Sequence, residues 1–494
     1  MRVICILLDS LNRHFLPAYG NDWVRTPNLD ALAARSVAFD QNYIGSAPCM
    51  PARRDLWTGD QEFLWRPWGS LEPWDNPLPR LLRQNRILTQ LITDHYHLFE
   101  PGGENYHTDF EGWELIRGHE GDPWITDPRP APPEHRGYLA PQYWRNMSRL
   151  QREADYFAPR TLQAAADWLE RNHSHERFFL MIDEFDPHEP FHVPPPYDTM
   201  YDPDYDGPLY FWPHYGRVEE AGDDQRATHH IRAQYAGKVT MVDRWLGRLL
   251  ERIDGFHLWD DTAIILMADH GHFLGEHGYY GKPCCPAYQT IAHTPLMIHL
   301  PGGRRAGERI QALTTTVDLY PTILQWFGLE PVRPVHGRSL VPLLEGRVEK
   351  VRDWVLYGWW GQAVNYADGT HTYLRAPQAG DNSPLDAYSI RWSTAPWWKL
   401  PDLAGRVEYG SFMPQTEMLV GRLRLRPEEM GQVYCRPAQV IREPLLFDIR
   451  ADEAQEHNLA GTPLEREYQG KLRRALGEMQ APGEQLVRLG LWPC

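Results

Sequence analysis

Four short apolar runs, each followed by residues that can bind a metal ion or an anion, constrain the fold of this chain most strongly. The runs cover residues 3–8, 87–93, 178–182 and 262–268, and amphipathic stretches separate them. This alternation is typical of an α/β protein with a mainly parallel central sheet and flanking helices on both faces. Because ligands of such sheets gather beyond the carboxyl ends of the strands, we expect one shared active site there. The residues that follow the runs are Asp9, Asp94-His95-Tyr96-His97, Asp186-Pro187-His188-Glu189 and Asp269-His270-Gly271.

Helices are predicted where apolar residues recur three and four positions apart. The candidates are residues 30–35, which follow a cap at Thr26 and Pro27, and residues 160–171, 231–252, 317–327 and 463–479. With 494 residues the chain is long enough for one large domain and an appendage. We expect a catalytic α/β domain over residues 1–374 and a smaller C-terminal α+β domain with a short sheet over residues 375–494.

The charge and the cysteines indicate the setting of the protein. The net charge of −16 argues against nucleic acid or an anionic membrane as a partner, so any anion site must be built locally. The apolar run at residues 1–8 is too short for a secretory signal, and no stretch is long and apolar enough to cross a bilayer. The six cysteines lack the spacing of a disulfide framework. Together these features predict a cytoplasmic protein.

Aromatic residues and prolines are abundant in segments between the periodic stretches. The chain has 20 Trp, 24 Tyr and 43 Pro, many of them in residues 194–212 and 354–398. Long aromatic loops on an α/β scaffold commonly form the walls of a pocket. Packing at the interface of a homo-oligomer explains them equally well, so both interpretations stay open.

The motif with the clearest chemical meaning is Cys49-Met50-Pro51-Ala52-Arg53, continued by Leu56-Trp57-Thr58-Gly59. By itself, the cysteine also fits a small buried thiol at the start of a helix. The motif resembles the sulfatase signature, which is Cys-x-Pro-x-Arg followed by a hydrophobic pair and Thr-Gly. In that family a maturation enzyme oxidises the cysteine to formylglycine, whose hydrate presents two hydroxyls.

The resemblance to the formylglycine-dependent sulfatases of the alkaline-phosphatase superfamily extends over most of the chain. The chain resembles the branch of cytosolic sulfatases and phosphonate monoester hydrolases, and several segments carry the resemblance in the family's order. Besides the cysteine motif these segments are Asp9, Thr26-Pro27-Asn28-Leu29-Asp30, His188-Glu189-Pro190-Phe191, Asp269-His270-Gly271, Gly275-Glu276-His277-Gly278, Lys282, Thr294-Pro295-Leu296, Pro301-Gly302, Val317-Asp318-Leu319-Tyr320-Pro321-Thr322, Leu446-Phe447-Asp448 and Asn458-Leu459.

The resemblance implies a site for one divalent metal ion. Asp9, Asp269 and His270 would hold the ion together with the formylglycine oxygen at Cys49. Many sulfatases have a second Asp directly after the first-strand Asp, whereas this chain has Ser10. This set of metal ligands has one carboxylate fewer than usual and includes an imidazole, so Mn²⁺ is an alternative to Ca²⁺.

The resemblance also implies a set of catalytic residues. Arg53 would orient the formylglycine, and Lys282 would contact the sulfuryl oxygens. His188 would donate a proton to the leaving oxygen. The family's Gly-Lys-Trp-His-Leu appears here as Asp94-His95-Tyr96-His97-Leu98. Only His97 is carried over, as a base that releases the product, and no role is assigned to His95.

The function implied is that of a sulfuric ester hydrolase that cleaves a sulfate monoester of a carbohydrate or an aryl alcohol. A phosphonate monoester or phosphodiester hydrolase is the closest alternative, because these substrates share a singly charged tetrahedral centre. A non-catalytic binding protein on the same fold is the second alternative. The expected partners are the sulfate ester, the maturation enzyme that forms formylglycine and a second copy of the chain, with no nucleic acid and no membrane.

Overall fold

The computed structural model describes residues 1–283, 285–430 and 441–492. Its strands are β1 (Arg2–Leu8), β2 (Val37–Tyr43), β3 (Ser46–Ala47), β4 (Leu88–Thr93), β5 (Gly112–Leu115), β6 (His135–Gly137), β7 (Phe178–Glu184), β8 (Leu209–Trp212), β9 (Gly216–Arg217), β10 (Thr262–Met267), β11 (Phe273–Leu274), β12 (Tyr279–Gly281), β13 (Leu296–His299), β14 (Arg309–Thr315), β15 (Val355–Trp359), β16 (Val364–Ala367), β17 (His371–Arg375), β18 (Asp386–Ser389), β19 (Val407–Gly410), β20 (Val420–Arg424) and β21 (Leu445–Asp448). Its helices are α1 (Pro27–Ala34), α2 (Cys49–Thr58), α3 (Leu78–Gln84), α4 (Pro141–Asn146), α5 (Phe157–Asn172), α6 (Val218–Ala221), α7 (Gln225–Gly255), α8 (Gln289–Ala292), α9 (Leu319–Trp326), α10 (Val341–Leu344), α11 (Pro427–Met430), α12 (Pro463–Glu478) and α13 (Gly483–Arg488).

The largest sheet in the described ranges has eight strands in the order β14-β2-β13-β10-β1-β7-β4-β5. Its neighbouring strands are parallel except where β13 pairs with β10 and with β2. The predicted mainly parallel α/β class is therefore confirmed. The four predicted runs became β1, β4, β7 and β10, and β7 continues two residues beyond the predicted run, through Asp183 and Glu184.

Helices cover both faces of this sheet, which explains why its central strands are apolar throughout. Side chains 3, 5 and 7 of β1 pack in a core with residues of α2, α3 and α9. Side chains 4, 6 and 8 pack in a second core with residues of α1, α5 and α7. A strand that is buried on both faces has no polar side, so it lacks the alternation of a half-exposed strand.

The C-terminal region is smaller and rich in sheet, as predicted. A five-stranded sheet in the order β21-β17-β16-β15-β3 joins it to the larger part of the chain. Gly358 and Trp359 of β15 pair with Ser46 and Ala47 of β3, two residues before Cys49. Residue 374 lies inside β17, so this sheet runs across the expected domain boundary, and the division into domains stays a prediction.

Candidate active site

The carboxyl ends of three neighbouring strands each bring a carboxylate to one edge of the large sheet. Asp9 directly follows β1, and Asp269 lies two residues beyond the end of β10. Asp183 is the penultimate residue of β7, where it pairs with Leu7 of β1. Because β10, β1 and β7 are parallel neighbours, their carboxyl ends deliver these three side chains to the same place. All three carboxylates are fully buried.

Helix α2 carries the cysteine motif into this edge. Cys49 is the first residue of α2, so the positive end of the helix dipole lies at its side chain. Gly59 ends α2 with a φ of 73°, and a Cβ added there would lie 2.6 Å from the Tyr320 ring. The glycine of the motif therefore serves the turn and the packing of the helix rather than the chemistry.

Cys49 is buried among charged and polar side chains. Its Sγ lies 3.4 Å from His270 Nε2 and 3.7 Å from Lys282 Nζ. Asp9 Oδ1 is 3.9 Å from the same sulfur. Burial and the Asp9 carboxylate raise the pKa of the Cys49 thiol well above its ordinary value. The unmodified thiol is therefore neutral at physiological pH, which does not suit a cysteine nucleophile.

The donor set at this edge fits a divalent cation. One ligand atom from each of Asp9, Cys49, Asp269 and His270 can be chosen so that all four lie within 4.8 Å of one another. His270 Nδ1 donates a hydrogen bond to the Gly271 carbonyl oxygen at 2.9 Å, which leaves Nε2 as the ligand nitrogen. Burial and Lys282 lower the pKa of His270 to about 3, so the ring is neutral. Two carboxylates and a neutral imidazole are compatible with Ca²⁺ or Mn²⁺.

Arg53 is held by three carboxylates, one of which the sequence analysis missed. Its Nη1 donates to Asp9 Oδ2 at 2.7 Å and to Asp269 Oδ2 at 2.5 Å. Its Nε and Nη2 form a bidentate pair with Asp183 at 3.1 and 2.6 Å. Nη1 also lies 3.3 Å from the Cys49 carbonyl oxygen, so the guanidinium points back at the motif. The sequence does contain an indication of Asp183, because this carboxylate lies near the end of an otherwise apolar strand.

Lys282 and Ser10 are joined in the same site. Lys282 Nζ donates to Ser10 Oγ at 2.9 Å and lies 4.0 Å from Asp9 Oδ1. Ser10 Oγ donates to Asp9 Oδ1 at 2.7 Å, and its backbone N–H donates to Asp269 Oδ1 at 2.9 Å. Ser10 has a φ of 60°, which is unusual for a residue other than glycine. The residue that departs from the family pattern therefore links the lysine to both candidate metal-binding carboxylates.

His188 faces the site with one ring nitrogen already committed. Its Nδ1 lies 2.8 Å from the Glu189 carbonyl oxygen and 3.2 Å from Glu189 Oε2. Burial and Lys282 lower the pKa of His188 well below its ordinary value, so the ring is neutral. Nε2 is therefore the nitrogen left for a substrate. A buried lysine, Lys238 of α7, fixes the loop that carries His188, and the sequence analysis missed it.

His97 lies between two carboxylates, an arrangement that the sequence did not indicate. Its Nε2 is 2.8 Å from Glu120 Oε2, and its Nδ1 forms a short contact with Glu100. Burial by itself lowers the pKa of His97, but these carboxylates outweigh burial and raise the pKa to about 9. The ring is thus protonated at neutral pH, and its predicted role as a base stays a prediction that requires loss of this proton. His95 is fully buried and stacks on Phe185 at a centroid distance of 4.2 Å.

Comparison with known proteins supplies the family. The family model described as Sulfatase matches residues 2–329 of the chain. The chain belongs to the sulfatase family. The family and the enzyme class predicted from the sequence, a hydrolase of the sulfatase type, are thereby confirmed.

Individual relatives of this sulfatase-family chain share at most about a third of its residues over the aligned length. The multifunctional alkaline phosphatase superfamily protein PehA of Trinickia caryophylli is 30% identical over 420 residues, which are 71% of this chain and 78% of that protein. The N-acetylglucosamine-6-O-sulfatase of Bacteroides thetaiotaomicron is 24% identical over 424 residues, which are 71% of this chain and 72% of that protein. The crystal structure of the phosphonate monoester hydrolase of Agrobacterium radiobacter superposes with a TM-score of 0.68 at 21% identity, covering 97% of this chain and 95% of that one. At 21% identity, the similarity to this crystal structure shows only that the two proteins share a fold.

The sulfatase site opens into a cavity of about 320 Å³. Cys49, His188 and Lys282 line it, together with His97 and Glu120. Aromatic side chains from both aromatic loops also contribute to its wall, which agrees with the first of the two interpretations of those loops. The aromatic side chains that line the cavity are Trp68, Tyr96, Tyr138, Trp212, Tyr215 and Trp397.

Among the described residues, no helix is both long and apolar enough to span a bilayer.

Proposed function

We propose that this protein hydrolyses a sulfate monoester, using a formylglycine made from Cys49 and one divalent ion, Ca²⁺ or Mn²⁺. The observation that carries the proposal is the position of Cys49. Its side chain lies at the positive end of α2, within 4 Å of His270 and Lys282, and lines the cavity. A hydrated aldehyde at this position would supply the nucleophilic hydroxyl, and a bound divalent ion would neutralise the anionic oxygens of the ester.

The protein's own cations are placed to bind the ester. Although burial lowers it, Cys49, Glu189 and Asp9 raise the pKa of Lys282, so the ammonium is charged. Since Lys282 Nζ lies 3.7 Å from the Cys49 sulfur, it can donate to a sulfuryl oxygen held above position 49. Arg53 does not line the cavity. We propose that it orients residue 49 and balances the charge of the three carboxylates around it.

His188 is proposed to protonate the leaving alcohol through Nε2. Nδ1 donates to the Glu189 carbonyl oxygen, which fixes the ring orientation. The ring is neutral in the free protein, because burial and Lys282 disfavour its charge. The negative charge of a bound ester favours the protonated form, so the ring takes up its proton as the substrate binds.

A phosphonate monoester or phosphodiester hydrolase is the second candidate. A single carboxylate follows the first strand, and Ser10 occupies the next position. A phosphonate ester and a sulfate ester each bring one negative charge to such a site, so its charge balance accepts both. The relative PehA, which is 30% identical to this chain, is named as a multifunctional protein of the alkaline phosphatase superfamily, and this supports a site that accepts more than one class of ester. The cytoplasmic location, the maturation enzyme and the homo-oligomer expected from the sequence stay predictions.

The deciding experiment compares two matched esters on matured protein. Mass spectrometry of the Cys49 peptide must first show the loss of about 18 Da that accompanies conversion of the thiol to an aldehyde. The values of kcat/KM are then measured for 4-nitrophenyl sulfate and for the 4-nitrophenyl ester of phenylphosphonate. We expect a preference for the sulfate. A preference for the phosphonate would assign the second candidate, and no turnover of either by converted, metal-loaded protein would favour a binding function.

A further inference from the structure

The cavity next to Cys49 has two different ends. At the inner end lie Cys49 and Lys282, which suit an anionic group. Towards the outside the wall is aromatic, and two of its rings, Tyr138 and Trp397, are about half exposed. An ester bound with its anion at the inner end must place its alcohol among these rings.

The rings around His97 form a corner rather than a flat wall. The rings of Trp68 and Trp397 have centroids 4.8 Å apart and cross at 78°. The His97 ring is nearly perpendicular to both, at 5.2 and 5.7 Å. Aromatic faces carry partial negative charge and favour flat apolar groups and cations. The corner therefore suits a planar alcohol without negative charge.

The charged residues that line the cavity add to this preference. Lys282 is the one lysine or arginine that lines the cavity in the described part of the chain, and it lies at the inner end. Glu120 also lines the cavity, beside the ring of His97, with its carboxylate 2.8 Å from His97 Nε2. Glu100 contacts the other nitrogen of the same ring. Two carboxylates around one imidazolium leave a net negative charge in a largely buried region, where a second anion would be repelled.

The position of Glu120 is built into the fold. Its φ is 49°, an unfavourable backbone conformation that the surrounding loop must hold in place. Asn146 Nδ2 donates to the carbonyl oxygens of Gly118 and Asp122 at 2.9 and 2.8 Å. His119 Nε2 lies 2.8 Å from Asp186 Oδ1, two residues before His188. The loop with Glu120 and the loop with His188 are thus fastened to each other.

We propose that the substrate's alcohol is a planar aromatic group that is neutral or positively charged, and that Glu120 excludes alcohols that carry a second anionic group. This inference rests on the proposed function only in that the anion of the ester binds beside Lys282. It separates the protein from enzymes whose substrates are multiply sulfated sugars. Glu120 is then a specificity-determining residue of the pocket.

The test uses aryl sulfates that differ in the charge of one substituent. The values of kcat/KM are measured for a series of neutral para-substituted phenyl sulfates, which define a line against the pKa of the phenol. The 4-carboxylate and the 4-trimethylammonium derivatives are compared with this line. We expect the anionic ester to fall at least about tenfold below the line and the cationic ester to lie on or above it.

Two variants locate the effect. In Glu120→Gln the kcat/KM of the anionic ester should rise to within about threefold of the line. In Glu100→Gln most of the reduction in kcat/KM of the anionic ester should remain. Glu100 is the matched control because it also contacts His97 but does not line the cavity. An anionic ester on the line in the wild-type protein, or equal shifts in the two variants, would overturn the proposal. The wild-type series decides the matter even if a variant does not fold.

The charge preference of the pocket can be tested whichever class of ester the protein cleaves. If the protein cleaves phosphonates instead, the same substituents are compared in aryl phosphonate monoesters. If it cleaves neither ester, calorimetry with 4-trimethylammoniophenol and 4-hydroxybenzoate as probes still measures the charge preference of the pocket. We expect tighter binding of the cationic phenol, and equal or reversed binding would overturn the proposal.

Discussion

Lys238 Nζ donates a hydrogen bond to the main-chain oxygen of His188 at 2.6 Å. The same ammonium donates to the Pro190 carbonyl oxygen at 2.8 Å and contacts Asp186 Oδ1 at 2.6 Å. Lys238 lies in the middle of α7 and is 1% exposed. All three of its protons therefore hold the loop that carries the proposed acid. Lys238 is a positioning residue, because it acts on the reaction only through His188.

We expect Lys238→Met to weaken catalysis most for poor leaving groups. Displacement of His188 removes protonation of the leaving oxygen, which an acidic phenol needs least. The slope of log kcat/KM against the pKa of the phenol should therefore become steeper. Urea unfolding should also show a loss of about 3–5 kcal/mol, because the variant leaves Asp186 buried without its cation.

Lys471→Met is the control for the lysine variant, since Lys471 pairs with Asp368 at 3.0 Å on a more exposed helix. It should change the unfolding free energy by about 1 kcal/mol or less and leave the slope unchanged. A Lys238→Met protein with lower activity but an unchanged slope would show that the lysine is only structural.

Asp183→Asn should weaken binding of the divalent ion without removing a predicted ligand. Asp183 shares Arg53 with Asp9 and Asp269, so its loss strengthens the competition of Arg53 for those two carboxylates. We expect an affinity for Ca²⁺ or Mn²⁺ about 10–100-fold lower, measured by calorimetry after chelation. Asp243→Asn is the control, because Asp243 accepts a hydrogen bond from the Leu29 N–H at 2.7 Å, outside the site. Equal metal affinities in the two variants would contradict the prediction.

Cys49→Ser should accept a sulfuryl group but release it slowly. A serine ester cannot collapse to an aldehyde, so its release requires attack by water. Incubation with an aryl sulfate should give at most one equivalent of phenol and a protein mass increased by one sulfuryl group. Cys5→Ala, in the core of β1, should keep multiple turnovers. Sustained turnover by Cys49→Ser would rule out the formylglycine route.

The stability of the protein should fall in mild alkali because of His97. Its folded pKa of about 9 is above the ordinary value of 6.5, so it stabilises the fold fully below about pH 6.5. This contribution is lost as the pH rises through about 9. We expect urea unfolding to show a decrease of up to about 3 kcal/mol between pH 6.5 and 9.5. His97→Gln should flatten this decrease, and His457→Gln, at an exposed histidine, should not. Parallel curves for wild type and His97→Gln would contradict it.

Residues whose roles follow from a local pattern could be predicted from the sequence. Asp9, Asp269 and His270 directly follow apolar runs, and parallel strands bring their carboxyl ends together whatever the rest of the fold does. Cys49 and Arg53 lie one turn apart in α2, so their relationship is also local. The sheet and its flanking helices could be predicted for the same reason, because strands buried on both faces appear as continuous apolar runs and the helices between them appear as amphipathic stretches.

Only the tertiary structure decided the charge networks. Lys238 reads as a solvent-facing residue of an amphipathic helix, and its buried partners are about 50 residues away in the chain. The pairing of His97 with Glu120, and of Arg53 with Asp183, likewise joins segments that no periodicity connects. The strength of an ion pair depends on distance and desolvation, and both are set by the packing of remote segments. The sequence by itself thus determined the fold class and the centre of the site, whereas packing determined which groups are charged and what the pocket admits.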